Sequence, residues 1–394
     1  LEAMAPEARA AYVRDLCAAE GIDFNYVMVD EGHNALNRAG KQNSALANVL
    51  DAFTRDTPTY ISASADPIKN DVSEAFDLLH KMAPTRYHDR AAFLRRFGPD
   101  APAAREALRR ELLQHLYPGR VDPGVAAKKV EDRIELTPAQ RVKIQGLEKA
   151  AAALRLSRTR GDKDVDVEAA RQLAPHLFEG ASPDHARAIA HETAAYLGVL
   201  KDQAIRNVID NDPEGAKAKR VIEHVQARKG KPGIVFCHRL DMVEHLKRRL
   251  EAAGHRVTTL TGGMDSKAKS AARRAFSPDG DVAPSADILV TSDAGAVGMN
   301  AQRGQWVLQY DTPDTALLHA QRGGRVHRLG QTRNVELTDL IANHPTEAAA
   351  RRRLAEKYEL REIVTSPYEG LDDSGLAHYL HRRSVEHDDP PSLF

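Results

Sequence analysis

Two carboxylates close an apolar run near the start of the sequence, in NYVMVDEGHNAL at 25–36. Asp30 and Glu31 directly follow Tyr26–Val29, and a glycine and His33 come next. Adjacent acids at a strand's end have a plain reading, a strand that meets solvent, and a sharper one, a site for a magnesium nucleotide. Far downstream, HAQRGGRVHRLGQ at 319–331 sets Gln321, Arg325, His327, Arg328, Gly330 and Gln331 in the spacing QxxxRxHRxGQ. A guanidinium is a planar, permanently charged fork that fits phosphate oxygens. On a helix, arginines three apart project from one face. A basic surface helix carries the same residue types, so neither segment decides alone.

The elements that must position these residues are short apolar runs, several of them β-branched and followed by helical stretches. They are YVMVDE (26–31), TYISAS (59–64), GIVFCH (233–238), RVTTLTG (256–262), DILVTSD (287–293), WVLQYD (306–311) and VELTDLI (335–341). Runs apolar on both faces suit parallel strands covered by helices. After Cys237 the period changes, with Val243, Leu246, Leu250 and Ala253 three and four apart until Gly254, the face of one helix. This βαβ rhythm holds from about 220 to 345. Between roughly 84 and 220 it stops, and Ala, Arg, Leu and Glu dominate with breaks at GPDAP, YPGRVDPG, LTPAQ, EGASPD and NDPEG. The expectation is an α/β chain: the carboxyl part of a first lobe (1–84), a helical insertion (85–220), a second lobe (221–364) and an acidic tail (365–394).

Bulk composition narrows the partners. The 394 residues are 42% hydrophobic and 28% charged, as in globular proteins, and the formal net charge is zero. A nucleic-acid site must therefore be a local patch. Cys17 and Cys237 form no CxxC pair, which argues for free thiols in a reducing cytoplasm and against a zinc site. No run approaches the ~18 apolar residues of a membrane span. GDKDVDVEAA alternates Asp162, Asp164 and Asp166 like a calcium loop, but Val167 and Leu173 stand where Gly and Glu are needed. It reads as an acidic turn. HETAAY at 191–196 likewise misses the HExxH zinc pattern at Ala195.

QxxxRxHRxGQ resembles motif VI of superfamily 2 helicases in the form used by Swi/Snf-type DNA translocases, and VDEGH resembles their motif II. The intervening order agrees. SASADPIKNDVSEAFDLLHKMAP (62–84) resembles motif III and its continuation, GIVFCHRLDMVEHLKRRL motif IV, and ILVTSDAGAVGMNAQ (288–302) motif V. LTGGMDSKAKSAARRAF resembles the segment after motif IV, and IELTPAQ (134–140) the passage before the second lobe. The resemblance covers about residues 20 to 345 and implies two RecA-like lobes with ATP between them. It implies that Asp30 holds Mg²⁺ through water and that Glu31 orients or deprotonates the attacking water. His33, Ser64 and Asp66 would couple hydrolysis to lobe movement, and Arg325 and Arg328 would act as arginine fingers. Gly298 and Gln321 would line the nucleotide, and Arg239, Gly262, Thr291 and Ser292 would meet nucleic-acid phosphates.

Departures from the pattern bear on activity. The family's phosphate loop, GxxxxGK[ST], should precede motif II, and the 29 residues before Asp30 lack it. AGKQNS at 39–44 follows motif II, where such a loop cannot lie. The expectation is an amino-terminally truncated chain, poor in ATP hydrolysis on its own, whose partners are duplex DNA and the missing amino-terminal part of the same polypeptide. Asp66 stands where the family has threonine, and Lys69 where it has glutamine. The variant resembles helicase portions of large multi-domain proteins of phages and bacterial mobile elements, hence a cytoplasmic setting. Two other readings remain open: a non-catalytic remnant that grips DNA or a protein, and an RNA-directed helicase.

Overall fold

The computed structural model describes residues 6–22, 25–30, 59–64, 72–83, 85–99, 101–113, 115, 123–159, 165–278, 280, 282–293 and 299–365. The chain divides into two compact units, one chiefly Leu1–Arg120, the other chiefly Val121–Asp314 and Leu318–Arg352.

In the first unit the apolar run ending in Asp30 forms β1 (Tyr26–Asp30), which pairs in parallel with β2 (Thr59–Ala63). Asp30 lies opposite Ala63, so Asp30 and Ser64, one residue beyond β2, leave the sheet at the same edge. Among the described residues, three helices follow α1 (Pro6–Ala19): α2 (Val72–Met82), α3 (Arg90–Phe97) and α4 (Pro102–Leu113). Their core joins Phe76, Leu79, Phe93, Phe97, Leu108 and Leu112. Asp89 starts α3 by accepting a hydrogen bond from the Ala92 amide at 2.9 Å, an N-cap that satisfies one of the helix's orphan donors.

The second unit opens with β3 (Ala127–Ile134) and four helices, α5 (Pro138–Thr159), α6 (Val167–Leu173), α7 (Pro183–Ala195) and α8 (Leu197–Asp210). Then α9 (Ala216–Ala227), β4 (Gly233–Phe236), α10 (Leu240–Ala252), β5 (Val257–Leu260), α11 (Ser266–Phe276) and β6 (Ile288–Thr291) alternate. Next in the chain come β7 (Trp306–Gln309), α12 (Ala316–Gly323), β8 (Val335–Ala342) and α13 (Pro345–Thr365), of which Thr315–Leu317 and the part of α13 from Arg353 group with the first unit. The strands form one parallel sheet in the order β3-β8-β7-β4-β6-β5. Successive strand residues serve opposite faces: Val235, Val290, Trp306 and Leu308 enter one core, and Ile234, Phe236, Leu289 and Val307 the other. That double burial is why β4, β6 and β7 are continuous apolar runs. Val243, Leu246 and Leu250 of α10 are wholly buried against the sheet, and Gly254 ends the helical segment at a φ of 85°.

The stretch expected to be a helical insertion differs in two ways. Its first helices, α3 and α4, pack with α2 in the first unit. It also contains β3, paired along its whole length with β8 from Ala127↔Val335 to Ile134↔Ala342. The strand AKKVEDRI is an edge, with Lys128, Lys129 and Arg133 exposed, so it lacks the apolar run that marks a central strand and is built from good helix formers. The helices α5 to α7 do form a core of their own, around Leu154, Ala170, Leu173, Phe178 and Ala190. Asp166, from the false calcium loop, caps α6 by accepting from the Ala169 amide at 2.9 Å; Asp162 and Asp164 lie outside the described residues. Gln140, fully buried, donates to the Val208 carbonyl at 2.8 Å and accepts from the Ala216 amide at 3.0 Å, tying the start of α5 to the end of α8 and the start of α9.

This packing makes Gly233 and His224 sensitive positions. A Cβ on Gly233 would sit 1.9 Å from the Trp306 ring. Gly233→Ala should therefore destabilise the second unit by about 3 kcal/mol, read as a lowered urea midpoint of the emission of Trp306, the only tryptophan. His224 packs edge-on against Trp306, and burial, with Arg228 nearby, pulls its pKa from 6.5 to about 4. Its folded value lies below its unfolded one, so the stability tied to neutral His224 is present above pH 6.5 and is lost as pH falls toward 4. That loss is worth up to about 3 kcal/mol, and His224→Phe should shrink it when urea midpoints are compared at pH 7 and 4.5.

Candidate functional site

The parallel strands of the second unit point their carboxyl ends the same way, and open α/β sheets bind ligands along that edge. Arg239 leaves β4 there, Gly262 leaves β5, Thr291 and Ser292 end β6, and Asp311 leaves β7. Arg239 is the N-cap residue of α10, exposed and paired with Asp241 at 3.0 Å. The Gly262 carbonyl accepts from the Lys269 ammonium at 2.7 Å. Thr291 is wholly buried and its hydroxyl donates to the Leu260 carbonyl at 2.6 Å; it braces β6 against β5 and presents no hydroxyl to a phosphate in this conformation. Ser292 is buried beside it. A strand-end hydroxyl reads the same in sequence whether it faces in or out, and only packing decides.

The segment with two arginines departs from its expected shape. The helix α12 ends at Gly323, and Arg325 and Arg328 stand on the turns that follow. Gly324 closes the helix by donating to the Ala320 carbonyl at 2.8 Å, and the Val326 and His327 amides both return to Gly323. Two consecutive glycines make continuation of the helix expensive. Arg325 is half-buried and Arg328 exposed, while Gln321, still on α12, is half-buried.

These turns are fastened to residues 299–304. The Ala301 amide donates to the Arg325 carbonyl at 3.2 Å, and the buried Gln331 carboxamide donates to the carbonyls of Gln302, Gly304 and Val326 at 2.8–3.0 Å. Arg328 donates to the Asn300 side-chain oxygen at 2.9 Å. His327 meets the Val125 carbonyl at 2.9 Å, just before β3.

Sequence reasoning passed over the residue that anchors this arrangement, Arg322. Only 2% of its side chain is exposed. It donates to both oxygens of Asp293 at 2.7 and 2.9 Å, and to the carboxylate and carbonyl of Asp311 at 2.9 and 3.0 Å. Burial works against its charge, but Asp311 and Asp293 outweigh burial and hold the guanidinium above its ordinary pKa. Asp311 also accepts from the His238 amide at 2.5 Å, so one ion cluster joins the ends of β4, β6 and β7 to α12. A second clamp lies three residues earlier. His319 meets Asp339 of β8 at 2.9 Å; Asp339 in turn holds Arg351 of α13, which pairs with Glu131 of β3 at 2.6 Å. Asp339 is buried, yet His319 and Arg351 keep its carboxyl below the ordinary value.

In the first unit, Asp30 is exposed at the tip of β1 and Ser64 half-buried beside it. Glu31, His33, Asp66 and Gly298 lie outside the described residues. The carboxylate at Asp30 is an oxygen donor at the end of a parallel strand, which suits a hard cation such as Mg²⁺.

An open parallel α/β unit with this order of motifs matches a RecA-like helicase carboxyl-terminal lobe. Residues 216–330 match the helicase conserved C-terminal domain. The chain is 24% identical to the uncharacterized ATP-dependent helicase YqhH of Bacillus subtilis, over 89% of this chain and 61% of that protein. It is 22% identical to chromodomain-helicase-DNA-binding protein 8 of Xenopus tropicalis (93% and 17%) and 23% identical to RNA polymerase-associated protein RapA of Photobacterium profundum (81% and 35%). The chain thus spans only part of each relative's length. Among solved structures, the C-terminal part of the Fun30 ATPase domain aligns at 15% identity and a TM-score of 0.42, covering 61% of this chain and 97% of that one. The matched domain and these relatives support a superfamily 2 helicase of the Swi/Snf type.

The Arg322 cluster predicts a large stability effect. Asp311→Ala takes one of two carboxylates from the buried guanidinium and leaves the His238 amide without its acceptor, and should cost about 3 kcal/mol in chemical denaturation. Arg239→Ala, at an exposed pair, should move the same midpoint by less than about 0.5 kcal/mol.

Proposed function

We propose that this chain supplies part of an ATP-dependent translocase that moves along duplex DNA by its backbone, without reading sequence. The observation that carries the reading is the presentation of Arg325 and Arg328 on turns that lead into β8 and are fastened to residues 299–304, which lead into β7. Two guanidiniums held there can meet the charge that develops on a transferring phosphoryl group, and an arginine in that role contributes ~10³ to 10⁵ in rate.

Asp30 and Glu31 are the proposed partners on the first unit. Asp30 would hold Mg²⁺ through water, and the bound ion neutralises charge on the nucleotide's phosphates. Glu31 would orient or deprotonate the attacking water, and His33, Ser64 and Asp66 would relay its state to the lobes. Gln321 and Gly298 are assigned to the nucleotide. Arg239 and Gly262, on loops leaving β4 and β5, are assigned to the DNA backbone. The relatives named as helicases support the ATP-dependent reaction; the zero net charge is consistent with a local DNA track. Translocation without strand separation fits this branch of the superfamily.

The test is ATP hydrolysis by the natural polypeptide that carries this chain, with and without duplex DNA. Arg325→Ala should abolish DNA-stimulated turnover while leaving the urea midpoint of Trp306 emission in place. Turnover within a few-fold of the parent would remove Arg325 from the reaction. Stimulation by single-stranded RNA and not by duplex DNA would replace the DNA reading with an RNA-directed one.

A further inference from the structure

The side-chain partner of Arg328 is a neutral amide. Its guanidinium donates at 2.9 Å to the side-chain oxygen of Asn300, and both residues are exposed. A guanidinium has donors only, so the Asn300 amide must turn its oxygen toward it. The backbone around this contact is fixed. The Ala301 amide is bonded to the Arg325 carbonyl, the Gly304 amide returns to Ala301, and Gln331 ties three carbonyls on both sides. The backbones of 299–304 and 325–331 therefore hold Asn300 and Arg328 at a set separation, and the two side chains rearrange on that frame.

We propose that Asn300 is a positioning residue for Arg328: it orients the guanidinium without neutralising it and releases it to a phosphate. The proposal rests on the reading of Arg328 as a phosphate-directed arginine. A carboxylate at 300 would hold the same geometry but compete with the phosphate for the charge, and an exposed neutral hydrogen bond is weak enough to exchange. The choice of amide over acid is thus the functional feature. It separates this contact from the buried Arg322 cluster, where carboxylates fix the arginine permanently.

The experiment compares Asn300→Ala, Asn300→Asp, Arg328→Ala and the double variant Asn300→Ala/Arg328→Ala in DNA-stimulated ATP hydrolysis by the natural polypeptide. Asn300→Ala should lower kcat by ~3- to 10-fold, with the KM for ATP changed less than ~2-fold, because orientation matters most in the transition state. Asn300→Asp should be slower than Asn300→Ala, and its deficit should narrow as salt is raised, since an exposed ion pair is screened. Asn300→Ala should have no further effect once Arg328 is alanine. Because both side chains are exposed, the urea midpoint should stay at the parent's value in all four. If Asn300→Asp matches the parent while Asn300→Ala is slow, Asn300 is only a structural acceptor and the proposal falls. It falls equally if Asn300→Ala and Arg328→Ala act additively. A parent that hydrolyses ATP while Arg328→Ala is unimpaired overturns the assignment of Arg328, and the role of Asn300 with it. A parent with no ATP hydrolysis at all overturns the proposed function itself.

Discussion

A guanidinium taken out of water must be paired, and buried Arg322 is held by two carboxylates and a carbonyl. Removing such a charge from solvent costs several kcal/mol before any partner is counted. Asp293 and Asp311 offset that cost only if β6, β7 and α12 end close to their present places. The cluster is therefore a geometric constraint as much as an attraction. It fixes where α12 begins its exit, and so where the turns bearing Arg325 and Arg328 can lie.

Around that point the structure grades its arginines by environment. Arg322 is buried and held by carboxylates; Arg351 is buried and held by Asp339 and Glu131; Arg328 is exposed and held by an amide. The first two bind elements together. The third keeps a charge available at the surface. The same side chain serves as a rivet or as a ligand group according to what surrounds it, and between Arg322 and Arg328 the change occurs within six residues of sequence. The His319–Asp339 contact adds a second point of fixation on β8, so that α12 is restrained at more than one strand of the sheet.

Much of this was legible in the sequence where burial is one-sided in its demands. The seven apolar runs became β1, β2 and β4 to β8, and in β4, β6 and β7 the reason is that a strand covered on both faces admits few polar residues. Three features were not legible. β3 carries the charges of an edge strand and reads as helix. The helix expected under Arg325 and Arg328 stops at Gly323–Gly324, where tertiary hydrogen bonds replace helical ones. Arg322 reads as one more basic residue, since Asp311 and Asp293 lie 11 and 29 positions away and nothing local announces them. Thr291 shows the same limit from the other side: a hydroxyl at a strand end was read as a phosphate contact, and its hydrogen bond runs inward to Leu260.

Amide hydrogen exchange in the parent and in Arg322→Met tests most directly whether the buried Arg322 cluster, by anchoring α12, also holds the segments 299–304 and 325–331 in place. The Ala301, Val326, His327 and Gln331 amides should lose ~100-fold or more in protection in the variant, while the amides of β4 and β6 lose ~10-fold or less. Equal loss across the sheet and these segments would mean that Arg322 contributes only global stability. Unchanged protection at Ala301 and His327 would contradict the account outright.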